Sequence, residues 1–179
     1  LIYQSLATCF STIATPSNYN NHIGVPLTLL SLNSSHDMAV IEMGANHPGE
    51  IAFLCRIAHP DYGIITNIGK AHLEGFGSFN GVIRTKKELY DYICEQQGTI
   101  FYSADNELLK DLLRDKNCAC YDYGTNKQAY CQGHIISSNP YLHLQVQEFP
   151  VIQTRLIGNY NFENIMAAIC VAKYFEADR

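Results

Sequence analysis

The sequence predicts an α/β fold, a mostly parallel sheet flanked by helices with a small antiparallel portion near residues 129–157. Three observations carry this. Short apolar runs rich in β-formers alternate with longer runs of helical period along most of the chain, the pattern of βαβ units. The 179 residues are 47% hydrophobic and 16% charged, suited to one globular core. From 129 to 157, "YCQGHIISS", "YLHLQVQ" and "VIQTRLI" follow one another over short loops, as antiparallel strands do.

The elements follow in order. "LIYQSLATCF" predicts a helix already under way at residue 1, with no capping residue before it. "DMAVIEMG" predicts a strand, and "HPGEIAFLCRIA" a helix with Pro48 near its first turn. "DYGIITNI" is the next strand, followed by the helix "SFNGVIRTKKELYDYICEQ", which Ser78 is placed to cap. Strand "GTIFYSA", helix "DNELLKDLLRD" and strand "CACYDYG" continue the alternation. The last helix, "NYNFENIMAAICVAKYF", puts Ile165, Ala168, Ile169, Ala172 and Phe175 on one stripe.

The net charge of -5, with Lys and Arg scattered, gives no field suited to nucleic acid or an anionic membrane. Any bound phosphate must therefore be held locally. Seven cysteines without a C-x-x-C pair predict reduced thiols and a cytoplasmic chain rather than a disulfide framework. No run reaches the length of a membrane span. The chain is expected to be a soluble monomer that binds neither nucleic acid nor membrane.

In open parallel sheets, ligands collect at the carboxyl ends of strands. Glu42 ends one strand there, and Asn67 and then His72 follow the next, so a carboxylate and an imidazole share a rim suited to a metal or phosphate. Equally open is a plainer reading, with Glu42 capping the following helix and His72 a loop histidine. Lys86 falls within the apolar stripe of Val82, Ile83, Leu89, Tyr90, Ile93 and Cys94. Burial there lowers a lysine's pKa and makes the neutral amine accessible; the alternative is a buried stem whose head snorkels to solvent.

The strings "SNYNNHIGVPLTLL", "AVIEMGANHPGEI", "ITNIGKAHLEGFGS", "GVIRTKKEL" and "IGNYNFENIMAA" together resemble the central ATP-binding domain of the Mur ligases. They are most similar to the branch that adds D-alanyl-D-alanine to the UDP-N-acetylmuramoyl-tripeptide of peptidoglycan. The resemblance spans nearly the whole chain and implies a P-loop NTPase-like fold. It implies ATP and magnesium as cofactors, with Glu42 ligating one magnesium, His72 a second, and Lys86 carbamylated by carbon dioxide to give an anionic ligand. Asn161 and Asn164 would face adenine, with Tyr160 in place of the histidine of other members. Asn18, Asn20 and Asn21 would line the cleft for the uridine-nucleotide peptide. Lys87 stands where the family usually has glycine.

The resemblance also implies a phosphate-binding loop ending in Gly-Lys-Thr, and no such string occurs in the 179 residues. The chain is therefore expected to be the central domain, 1–179, truncated at both ends, folding alone without catalysing. Its full-length protein would form an amide bond through an acyl phosphate. A related Mur or folylpolyglutamate-type ligase, a non-catalytic nucleotide-binding module and a metal-dependent hydrolase are the competing readings.

Overall fold

A computed structural model describes residues 1–69 and 73–177, with backbone alone at Leu73 and Glu74. The chain opens with α1 (Ile2–Leu6), β1 (Thr12–Ala14), α2 (Gly24–Leu30), β2 (Met38–Val40), α3 (Glu50–Ala58) and β3 (Tyr62–Ile64). Then come α4 (Leu73–Phe76), α5 (Phe79–Glu95), β4 (Thr99–Ser103), α6 (Glu107–Leu113) and β5 (Ala119–Gly124). The antiparallel strands β6 (Cys131–Ser137), β7 (His143–Val146) and β8 (Ile152–Gln153) lead to α7 (Asn161–Tyr174).

β1 and β2 form a two-stranded parallel sheet, and β3-β4-β5-β6-β7-β8 a second sheet in that order. Strands β3 to β6 are parallel and β6 to β8 antiparallel, as the sequence predicts. Parallel neighbours normally need a long crossover, yet only residues 125–130 join β5 to β6. This suffices because only the last two residues of β5 pair with the first two of β6. Side chains tie the loop down: Asp105 accepts from Thr125 N and Oγ1, and Asp122 accepts from Tyr130 N.

The parallel part of the larger sheet is covered on both faces. On one side α7 and α1 pack with Phe101, Tyr123, Leu144 and Met166. On the other, α5 and α6 pack with Ile65, Tyr90, Ile100 and Leu109. β4 is accordingly buried at Thr99, Ile100, Phe101 and Ser103, the near-continuous burial of a strand sandwiched between helices. Ser78 caps α5, accepting from Gly81 N at 3.1 Å.

Several expectations are corrected. The first helix stops at Leu6, where the chain turns toward β1. Pro48 lies outside α3, whose N-cap is Gly49, held at φ 86°, a conformation that favours glycine. The last helix is buried well beyond one stripe, at Met166, Ala167, Cys170 and Val171 too, because it lies between the sheet and α1. Cys94 and Cys118 form a disulfide, with Cα atoms 5.0 Å apart, where reduced thiols were expected. They stand 24 residues apart, Cys94 in the last turn of α5 and Cys118 just before β5, so no local spacing marks them. Among the described residues no helix is long and apolar enough to cross a membrane.

Among the described residues, β2 pairs only with β1 and β3 only with β4. Their other edges face each other across a cavity of about 890 Å³, lined by the consecutive residues 37–45 on one side and 58–66 on the other. Unpaired edge amides exchange faster than those of a strand bonded on both sides. Hydrogen exchange of the chain should therefore show fast amides alternating with slow ones in β2 and β3, against uniform protection in β4. Uniform protection in β2 and β3 would mean that the edges are paired.

Candidate functional site

Glu42 follows β2 and Ile41, at the carboxyl end of the strand. Two neighbours fix it. Its backbone N–H donates to Thr15 Oγ1 at 2.8 Å, just past the end of β1. Its Oε1 accepts from Asn20 Nδ2, also at 2.8 Å. Asn20 is held in return, its carbonyl accepting from Gly44 N at 2.7 Å. Asn21 does something else: Oδ1 accepts from Ile23 N and Gly24 N, both at 3.0 Å, at the start of α2. Asn18 contributes its carbonyl, which accepts from Asn20 N at 2.8 Å. The three asparagines thus sit on one loop, with Asn20 turned to Glu42 and Asn21 to α2.

Glu42 does not cap α3. That helix has no side-chain cap from its own N-cap residue, and α5 supplies one instead. Glu88 accepts from Gly49 N at 2.8 Å and Ala52 N at 2.9 Å. Glu50 folds back to accept from Asn46 N at 2.7 Å and His47 N at 3.0 Å. These bonds, that of Asn46 foremost, hold the Glu50 carboxyl below the usual carboxylate range. Glu88 therefore occupies two of the N–H groups that the start of α3 would otherwise offer to a phosphate, and Glu50 takes two in the turn before it.

Lys86 lies on α5 among Val82, Tyr90 and Ile93, all buried. It is half-buried, and its Nζ donates to the carbonyl of Asn67 just beyond β3. Its head ends on the rim, not free in solvent. Burial pushes its pKa below the ordinary lysine value. Lys87 instead pairs with Asp91 at 2.6 Å.

Two cavities open on this rim. The 890 Å³ cavity is lined by Glu42, Thr66, Gly69 and Lys86, besides the apolar edges of β2 and β3. A second, of about 580 Å³, is lined by Thr15, Glu42, Thr66, Asn161 and Asn164. Glu42 and Thr66 belong to both, so the carboxylate stands between the lysine and the two asparagines. Asn161 Nδ2 donates to Ile157 O at 2.9 Å, and Asn164 Nδ2 to Asn161 Oδ1 at 3.4 Å. Tyr160 before them is 74% exposed.

His72 lies outside the described residues. Among those described, no three His, Cys, Asp or Glu side chains cluster as a metal site. What the rim offers are hard oxygens, the Glu42 carboxylate and the Thr66 hydroxyl, the donors that suit magnesium. Thr15, Thr66 and Glu88 escaped the reading of the sequence. Helical phase sets Glu88 on the face opposite Lys86, but nothing in the sequence says that this face meets the start of α3.

Relatives extend the picture. The Mur ligase middle domain family matches residues 1–172. The UDP-N-acetylmuramoyl-tripeptide–D-alanyl-D-alanine ligase of Bacillus subtilis is 34% identical over 98% of this chain and 38% of its own length. The enzyme of the same name from Synechocystis is 43% identical over 92% of this chain and 35% of its own. Among solved structures, MurF from Acinetobacter baumannii superposes with a TM-score of 0.87 at 29% identity, over 98% of this chain and 39% of that one. MurF from Thermotoga maritima, in complex with ADP, gives 0.80 at 27% identity, over 98% and 42%. The chain thus spans little more than a third of the length of these curated relatives. A family match over residues 1–172, with the same fold in the solved relatives, makes this chain a member of the Mur ligase middle domain family.

Proposed function

We propose that this chain is the central, nucleotide- and magnesium-handling domain of an ATP-dependent ligase that joins D-alanyl-D-alanine to a UDP-N-acetylmuramoyl-tripeptide through an acyl phosphate. The observation that carries the reading is the position of Glu42, common to the cavity of Lys86 and to that of Asn161 and Asn164. The names of the relatives supply the substrates, and the ADP complex of the Thermotoga enzyme supports a nucleotide as ligand.

In this reading Asn161 and Asn164 face adenine, with the exposed Tyr160 ring beside them. Glu42 and His72 are magnesium ligands. Lys86, whose burial enlarges the fraction of neutral amine, adds to carbon dioxide and loses a proton, so that a cationic head becomes an anionic oxygen ligand. When bound, magnesium neutralises charge on the phosphoryl oxygens. The phosphate cradle remains to be supplied: a P-loop consists of a strand, the glycine-rich loop and a helix. The open edges of β2 and β3 offer the hydrogen bonds such a strand needs, and its carboxyl end would emerge beside Glu42.

Two measurements test the lysine's part. In the full-length ligase, Lys86→Ala should lower kcat by about 10²–10³-fold, the scale of losing one preorganised charge-stabilising group. A small carboxylate in solution should restore part of it, whereas normal activity in the mutant would leave Lys86 a packing residue. In the 179-residue chain, competitive labelling with an amine-selective reagent should titrate Lys86 below the ordinary lysine value. The sign follows from burial, which disfavours the charged form in the folded state. The unfolded chain then binds the proton more tightly, and this group's contribution to stability rises with pH until the unfolded lysine has titrated. An ordinary lysine pKa at Lys86 would contradict the burial argument.

A further inference from the structure

We propose that Asn20 is a positioning residue for Glu42: its amide holds one carboxylate oxygen so that the other is presented to the cation, an inference that rests on the magnesium reading above. Three observations support it. Asn20 Nδ2 donates to Glu42 Oε1 at 2.8 Å, and among the described residues no bond engages Oε2. The backbone that carries the amide is itself held, because the Asn20 main-chain carbonyl accepts from Gly44 N at 2.7 Å and its N–H donates to Asn18 O at 2.8 Å. The asparagine side chain also packs over the bare backbone of Gly44, where an added Cβ would lie 3.0 Å from Cγ and Nδ2.

The chemistry favours this residue type. A glutamate has three side-chain torsions, while magnesium demands near-ideal octahedral geometry at about 2.0–2.1 Å. A ligand fixed in one rotamer meets that demand at lower entropic cost. A neutral amide fixes the carboxylate without neutralising it. A lysine at position 20 would compete with the cation, and an aspartate would repel Glu42. Thr15 completes the arrangement by holding the backbone N–H of Glu42, so that main chain and side chain are each anchored by the loop following β1. Asn20 thereby acts on the metal through Glu42 and not on the nucleotide-peptide that the resemblance assigned to it.

The test is Mn²⁺ binding, used as the spectroscopic probe for the magnesium site. Loss of the free-ion paramagnetic resonance signal is read in the full-length ligase without nucleotide. Asn20→Leu, nearly isosteric and without a donor, and Asn20→Ala should each weaken Mn²⁺ about tenfold, the usual scale for a group that orients a ligand. Glu42→Gln should weaken it at least as much, and Asn20→Leu should add nothing on that background. The KM for the nucleotide-peptide should stay unchanged in Asn20→Leu. Gly44→Ala, which presses on the amide from below, should reproduce the tenfold loss with Asn20 intact. Wild-type Mn²⁺ affinity in Asn20→Leu beside a weakened Glu42→Gln would overturn the proposal, as would an undiminished effect of Asn20→Leu in the double variant. An unweakened Glu42→Gln would instead remove the magnesium reading, and this inference with it.

Discussion

Buried backbone N–H and C=O groups must find partners, and the arrangement around β2 and β3 follows from how that requirement is met and where it is left open. Each strand is bonded along one edge, to β1 or to β4, and each turns its other edge to a shared cavity. Helices wall the cavity on both sides, through Leu29 and Ile51 on one and Leu6 and Val171 on the other. The apolar slot carries two open hydrogen-bonding edges, whose groups need water or further backbone as partners. It is well matched to one more parallel strand. The same geometry brings the carboxyl ends of β2 and β3 onto one rim, which is why Glu42 and Lys86 line a common space although 44 positions separate their numbers in the sequence.

Rigidity at this rim comes from carboxylates and amides in paired roles. Glu88 reaches from α5 to the start of α3, and Glu50 closes the turn before it, so the segment from Asn46 to Ala52 is fixed by charge-assisted bonds. Because Glu88 lies two residues after Lys86, the bond that anchors α5 to α3 also sets where the lysine stem emerges. Glu42 is left out of the capping and is held from the other side, by Thr15 and Asn20. Of the three glutamates close together here, two close the backbone and one faces the cavities. The division separates the groups that build the rim from the group available for chemistry.

Much of the fold was legible in the sequence for a physical reason. Long amphipathic helices such as α5 repeat their apolar residues over several turns, and the capping serine at 78 marks the start chemically. The antiparallel strands were equally plain, since alternation and short loops announce them. β1 and α2 were not: a three-residue strand is too short to alternate, and α2 begins at a glycine and carries Pro26 within seven residues. The Cys94–Cys118 bond and the Glu88 cap depend on contacts between distant segments, which no local pattern encodes. At the site, residue types at strand ends pointed to Glu42 and Lys86, whereas the inward turn of Asn20 required the loop's path to be known. Thr66 was missed because a threonine at a strand's end is also an ordinary β-former.

The central claim is that Glu42 joins two cavities into one site, with the phosphates between the lysine and the asparagines. A crystal structure of the full-length protein with Mn²⁺ and a non-hydrolysable ATP analogue, phased to show the anomalous signal of the metal, tests it most directly. The account predicts a manganese peak in coordination contact with Glu42, at about 2.1–2.2 Å, the adenine against Asn161 and Asn164, and added density on Lys86 Nζ. A manganese peak away from Glu42, or an adenine bound outside the cavity of the two asparagines, would contradict it.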